Sequence, residues 1–136
     1  MVKSIEPYIV TDGCGQEAVT FYCEALGARV QSLLTWGEMD PDCPEERKHL
    51  LLNAQLDVGG IRLQISDENP DYEYQAGRNV TIALITNSIE EAQMFYRGLT
   101  INAKEIFLEL QETFWSPAYA NLIDQFGVMW QISTEE

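Results

Sequence analysis

Gln64 and Gln131 hold the same place in two copies of one short segment, Gly60-Ile61-Arg62-Leu63-Gln64-Ile65-Ser66 and Gly127-Val128-Met129-Trp130-Gln131-Ile132-Ser133. Read as strands, both copies alternate. Ile61, Leu63 and Ile65, like Val128, Trp130 and Ile132, form the apolar set that a covering helix would bury. Arg62, Gln64 and Ser66, like Met129, Gln131 and Ser133, point the other way. A polar side chain on that second face must meet water, a ligand or a hydrogen-bond partner. An amide donates and accepts at once, so Gln64, Gln131 and the nearby Asn53 suit the amide, carbonyl or hydroxyl groups of a small molecule. Arg62 can pair with an anion. Ordinary solvent-facing glutamines on a half-buried sheet are the competing reading.

Flat apolar walls for such a site can come from Trp115 and Trp36, although core is the commoner role for tryptophan. Trp130 falls on the helix side and is assigned to structure. No Cys, His or carboxylate occupies the placed positions, so no base or nucleophile is named. Asp57 and Glu6 stand in reserve. The single histidine, His49, sits at the edge of the strand that carries Asn53.

The elements that must position these residues repeat as well. Ile5 to Thr11 reads as a strand, Asp12-Gly13 as a turn, and a helix follows to about Leu26. Its buried face is Ala18, Phe21, Tyr22 and Ala25, and Gly27 suits its C-terminal cap. Ala28 to Trp36 and His49 to Val58 are strands, and Gly59-Gly60 turns a tight hairpin into Ile61 to Ser66. The second half follows the same order. Asn79 to Thr86 is a strand, Ser88-Ile89-Glu90-Glu91 a capping box, and Ala92, Phe95, Tyr96 and Leu99 the inner helix face. Strands over Lys104 to Leu110, Thr113 to Tyr119 and Val128 to Ser133 complete it. The expectation is an α+β fold of two βαβββ modules, residues 1–76 and 77–136, with mixed sheets curved around a cleft. Modules this small fold together, within one chain or across a dimer.

A net charge of −14, from 22 acidic and 8 basic side chains, repels a phosphate backbone and argues against nucleic acid or an anionic membrane as partner. Much of the acid lies in two Pro-containing stretches, 38–46 and 67–73, read as loops without the ordered ligand spacing of a calcium site. No apolar run approaches the roughly 20 residues that span a bilayer, and the first residues lack the apolar core of a signal peptide, so the cytoplasm is expected. Cys14, Cys23 and Cys43 form no CxxC pair and argue against a disulfide framework. Cys14 near a helix start is either a dipole-favoured thiolate or an incidental buried thiol.

The duplicated unit with its Phe21-Tyr22 and Phe95-Tyr96 helices resembles the vicinal oxygen chelate superfamily of glyoxalase I, bleomycin-resistance proteins and extradiol dioxygenases. Pro7-Tyr8-Ile9-Val10 with Glu17-Ala18 and Leu26-Gly27-Ala28, the hairpin Gly59-Gly60-Ile61-Arg62-Leu63, and Phe114-Trp115 followed by Asp124, Phe126-Gly127 and Trp130 are similar to its PhnB-like branch. The resemblance spans nearly the whole chain. It implies metal-ligand positions on the first and last strand of each half. Counting back from the Phe-Tyr pairs places these at Pro7 and Thr81, with Gln64 and Gln131 on the last strands. Pro offers no donor, Thr and Gln only neutral oxygens, whereas transition-metal sites rely on imidazole, thiolate or carboxylate. Asn53 stands where the branch often has His.

The expected function is therefore binding of a small, partly aromatic molecule in a metal-free cleft, with Gln64, Gln131, Asn53, Trp115, Arg62, Thr81 and Met129 as ligand contacts. The alternative is a divalent-metal-dependent lyase, isomerase or dioxygenase of the same superfamily. The resemblance also implies a homodimer. No cofactor is expected: the first strand lacks a glycine-rich nucleotide loop, and methyltransferase or phosphonate labels used for the branch find no motif here.

Overall fold

The computed structural model describes residues 1–136. The chain divides into two compact units, Met1–Tyr74 and Gln75–Glu136. No helix is long and apolar enough to cross a membrane.

The first unit runs β1 (Tyr8–Thr11), α1 (Gly15–Leu26), β2 (Arg29–Thr35), α2 (Trp36–Met39), β3 (Leu51–Val58) and β4 (Ile61–Asp67). Its sheet has the order β1-β4-β3-β2. β1 and β4 are parallel, and the other pairs are antiparallel. α1 buries Ala18, Phe21, Tyr22 and Ala25 against the sheet, as its spacing predicts. It ends at Gly27, whose positive φ of 65° only glycine adopts cheaply. From the sheet, Ile9, Ala54, Leu56, Leu63 and Ile65 meet the helix, all at 4% exposure or less. That set fixes which residues of β1, β3 and β4 face away.

The start of α1 is held unusually. Cys14, at the N-cap, makes no side-chain cap bond. Instead Asp67, at the end of β4, accepts from Gly15 N at 2.9 Å, Leu51 N at 2.7 Å and Thr11 Oγ1 at 2.8 Å. Its carboxylate fills the place of a local cap and faces the positive end of the helix. The approach is so close that a Cβ on residue 15 would lie 2.8 Å from Asp67 Oδ2.

The second unit repeats the order with β5 (Ile82–Thr86), α3 (Ile89–Leu99), β6 (Glu105–Gln111), β7 (Tyr119–Ile123) and β8 (Met129–Thr134). Its sheet order is β5-β8-β7-β6, again with only the first pair parallel. Ala120, Leu122, Trp130 and Ile132 face α3 and are buried. Here the cap is local: Ser88 Oγ accepts from Glu91 N at 3.2 Å.

Several expected boundaries change, and the first strand starts at Tyr8 rather than Ile5, which leaves Glu6 outside it. The stretch 113–118 is not strand, because Thr113 N bonds Ser116 O and Pro117 has no N–H for a ladder. The buried Ser116 hydroxyl instead donates to the carbonyls of Ala118 and Thr134. β5 starts at Ile82 rather than Asn79. Its partner β8 begins only at Met129, because Val128 is tied by both backbone groups to Asp124. The second strand stops at Thr35, which forms a capping box with Glu38 and turns Trp36 into α2. The acidic stretch 38–46 is accordingly part helical, with a 3₁₀ turn at Glu45–Arg47.

Candidate functional site

On the face of the first sheet turned away from α1, strand register brings together residues that are distant in sequence. Tyr8 lies opposite Gln64 across the parallel pair, and Gln55 lies opposite Gln64 on its other side. Five side chains close a circuit of hydrogen bonds. Gln64 Nε2 donates to Glu6 Oε1 at 3.0 Å, and Asn53 Nδ2 donates to Gln64 Oε1 at 3.2 Å. Gln55 Nε2 donates to Asn53 Oδ1, and Arg62 Nη1 donates to Gln55 Oε1, both at 3.4 Å. Arg62 Nε and Nη2 then grip the two Glu6 oxygens at 2.5 and 2.8 Å. Asn53 Nδ2 also reaches the Tyr8 hydroxyl at 3.3 Å. The short, charge-assisted end of the circuit is the strong one. Hydrogen bonds from Arg62, then Ser4, outweigh a burial cost and lower the Glu6 carboxyl from 4.5 to about 2. The same pair raises Arg62.

The corresponding face of the second sheet is aromatic. The Tyr119 hydroxyl donates to Gln131 Oε1. Its ring meets Trp115 edge-on at 5.1 Å, and Trp115 meets Phe114 the same way at 4.7 Å. Phe114 is 96% and Trp115 53% exposed, so this edge offers apolar area to solvent. Asn121 lies opposite Gln131, as Gln55 lies opposite Gln64, so the cross-strand amide pair is itself repeated. Asn121 Oδ1 is buried and makes no hydrogen bond. Trp130, by contrast, points into the core and donates to Asp124 Oδ2 at 2.8 Å, the structural role its alternation predicts.

The sequence model of the Glyoxalase/Bleomycin resistance protein/Dioxygenase superfamily matches residues 4–132. The chain belongs to that superfamily. Among superfamily relatives, it is 27% identical to protein YjdN of Escherichia coli K12 over 95% of this chain and 93% of that one. The crystal structure of PA1353 from Pseudomonas aeruginosa superposes with a TM-score of 0.87 at 30% identity, covering 98% of each chain. The PhnB protein of Bacillus cereus superposes at 0.81 with 18% identity, over 98% of this chain and all of that one, and so shares the superfamily fold.

Of the residues expected to line a superfamily site, Gln64, Asn53 and Arg62 meet in the first unit's circuit. Gln131 and Met129 share the outward face of β8, and Trp115 reaches Gln131 only through Tyr119. Thr81 lies outside β5, and the residue opposite Gln131 is Ala83. Pro7 is likewise displaced by one position from Tyr8, although its carbonyl accepts from Gln64 N at 3.2 Å. An equal count back from Phe21 and Phe95 reaches neither partner: it overshoots Tyr8 by one residue and Ala83 by two, the turn before α1 being one residue longer than that before α3. Tyr8, Tyr119 and Asn121 join the picture only in three dimensions, and the reserve candidate Glu6 finds its place there on Arg62. Alternation along β3 already aligned Gln55 with Asn53; nothing in the sequence placed Glu6 against Arg62. His49 belongs elsewhere. It lines a pocket of about 530 Å³ beyond the ends of β1 and β4, with Asp12, Arg47, Glu68 and Tyr72. Cys14 is no activated thiol: burial, then the Asp67 charge, push it upward.

Proposed function

We propose that the protein binds a small, partly aromatic organic molecule through its own amide and aromatic side chains, without a divalent metal. The observation that carries this reading is the state of the two repeated glutamines. Gln64 spends its oxygen on Asn53 and its nitrogen on Glu6, while Gln131 accepts the Tyr119 hydroxyl. Both are arranged as neutral hydrogen-bonding groups. The donor set does not suit a dication. The one carboxylate beside Gln64 is already paired at two points by Arg62, and no three His, Cys, Asp or Glu side chains gather anywhere in the structure. An amide oxygen alone does not offset dehydrating such an ion. The exposed Phe114-Trp115 edge supports recognition of a flat apolar group.

The test is metal analysis by mass spectrometry on dialysed protein, combined with thermal-shift screening of aromatic amides, aldehydes and carboxylates with and without EDTA. Stabilisation by a compound that persists in EDTA is expected. Stoichiometric zinc, nickel, manganese or iron retained through dialysis would favour the metal-dependent enzyme instead. The same reading includes a homodimer. The outer strand β2 leaves Val30, Leu33 and Leu34 at 36% to 47% exposure, which suits a covered edge. Light scattering at micromolar concentration tests that point, and a monomer would refute it.

A further inference from the structure

The polar circuit of the first unit contains one anion and one cation, and they cancel. Four donors converge on the Glu6 carboxylate: Ser4 Oγ at 2.7 Å, Arg62 Nε and Nη2, and Gln64 Nε2. A two-point arginine grip with flanking hydroxyl and amide donors is the arrangement by which proteins hold a ligand's carboxylate. Here the chain supplies the anion itself. Glu6 does so from the stretch before β1 that belongs to no strand, while Arg62 and Gln64 are fixed in β4. The other acid beside Arg62, Asp57, is committed elsewhere, with Oδ1 taking Gly60 N at 2.8 Å and Oδ2 facing Arg29 at 3.5 Å. Every other member of the circuit is a neutral amide or a phenol.

Resting on the binding function proposed above, we propose that Glu6 sets the charge of the ligand this face accepts. Its carboxylate occupies, from within the chain, the position that an anionic group of a ligand would take on Arg62. The face is therefore selective for neutral hydrogen-bonding molecules, and Glu6 is its specificity-determining residue. Because the carboxyl is held at about 2, the block operates throughout the neutral range. Replacing Glu6 by Gln removes the repelling charge and leaves a neutral amide that a ligand carboxylate can displace from Arg62, whereas replacing it by Ala leaves Arg62, Gln64 and Ser4 as an open carboxylate receptor.

The experiment compares benzamide and benzoate, matched in shape and different in charge, on the wild-type protein, Glu6→Gln, and the double variant Glu6→Gln/Arg62→Gln. Binding is read from the side-chain amide resonances of Gln64, Asn53 and Gln55 in two-dimensional NMR, which also reports that each variant is folded. Glu6→Ala, which removes the occupying group altogether, separates the effect of charge from that of occupancy. The expected result is at least about a tenfold gain in benzoate affinity in both single variants, equal to 1.4 kcal/mol, with the gain lost in the double variant. If folded Glu6→Gln and Glu6→Ala bind benzoate no better than wild type does, the inference is overturned. A gain that survives loss of Arg62 overturns it too. Benzamide shifting the wild-type amides keeps the broader binding reading intact in either case, whereas no shift with any screened compound counts against that reading separately.

Discussion

Tyr119 and Gln131 are joined across β7 and β8 by a hydroxyl-to-carbonyl hydrogen bond, and that bond fixes which way the amide points. With its oxygen engaged by Tyr119, whose ring in turn meets Trp115, Gln131 keeps its N–H₂ group as a donor. An amide held this way offers donors to a ligand carbonyl.

Trp115→Ala is therefore expected to weaken ligand binding about 2- to 13-fold, the worth of an aromatic contact of about 0.5–1.5 kcal/mol. Tyr119→Phe is expected to cost a comparable factor by releasing Gln131. Isothermal titration calorimetry on the compound selected by thermal shift checks both. Unchanged affinity in Trp115→Ala would remove the aromatic edge from the site.

The Glu6 carboxyl should titrate near pH 2, followed by carbon-13 NMR. Its folded value lies below its ordinary 4.5, so the stabilisation it gives is full above that ordinary value. It is lost as pH falls through the folded one. In Arg62→Gln the titration should move back toward 4.5, since the Arg62 hydrogen bonds are the largest cause of the shift. A Glu6 carboxyl that already titrates near 4.5 in wild type would mean that the pair is absent in solution.

Asp67→Ala should destabilise the protein by about 3 kcal/mol, because it strands two buried backbone N–H groups and leaves the Thr11 hydroxyl only the Ser66 carbonyl at 3.3 Å. Urea unfolding monitored by circular dichroism measures this. A change below about 0.5 kcal/mol, the range of an ordinary surface substitution, would show that water replaces the carboxylate readily.

Cys14 should react with iodoacetamide at neutral pH more slowly in the folded protein than in urea. Burial and the Asp67 charge both oppose its thiolate. Mass spectrometry of timed samples reads the rate, and faster labelling in the folded state would contradict the assignment.

Local signals carried the fold well. Alternation along 51–58 and 61–67, with Gly59 and Gly60 both at positive φ, is enough to write the hairpin β3–β4. α1, with Phe21-Tyr22 and Gly27, carries its own spacing and cap, whereas α3 buries only Ala92 and Leu99 of its expected face and leaves Phe95 and Tyr96 half-buried. Of the candidate site, Gln64, Asn53 and Arg62 were legible because they share the period of two. What stayed hidden depends on pairing between distant strands. Whether Pro7 or Tyr8 lies opposite Gln64 is a one-residue choice that exchanges faces, and no local pattern decides it. Glu6 sits in a stretch without periodicity. The irregular course of 113–118 follows from Ser116 bonding to Thr134, a contact no window of neighbouring residues contains.

The two helices differ in what they wait for. α3 can close its first turn from Ser88 and Glu91 as soon as those few residues exist. α1 lacks that local closure, and the oxygen that completes its start arrives 52 residues later with Asp67. Closing so long a span costs chain entropy before it returns any contact. During synthesis, the leading helix thus lacks this cap until the ribosome has released the end of β4, while the trailing helix carries a cap within its own first turn.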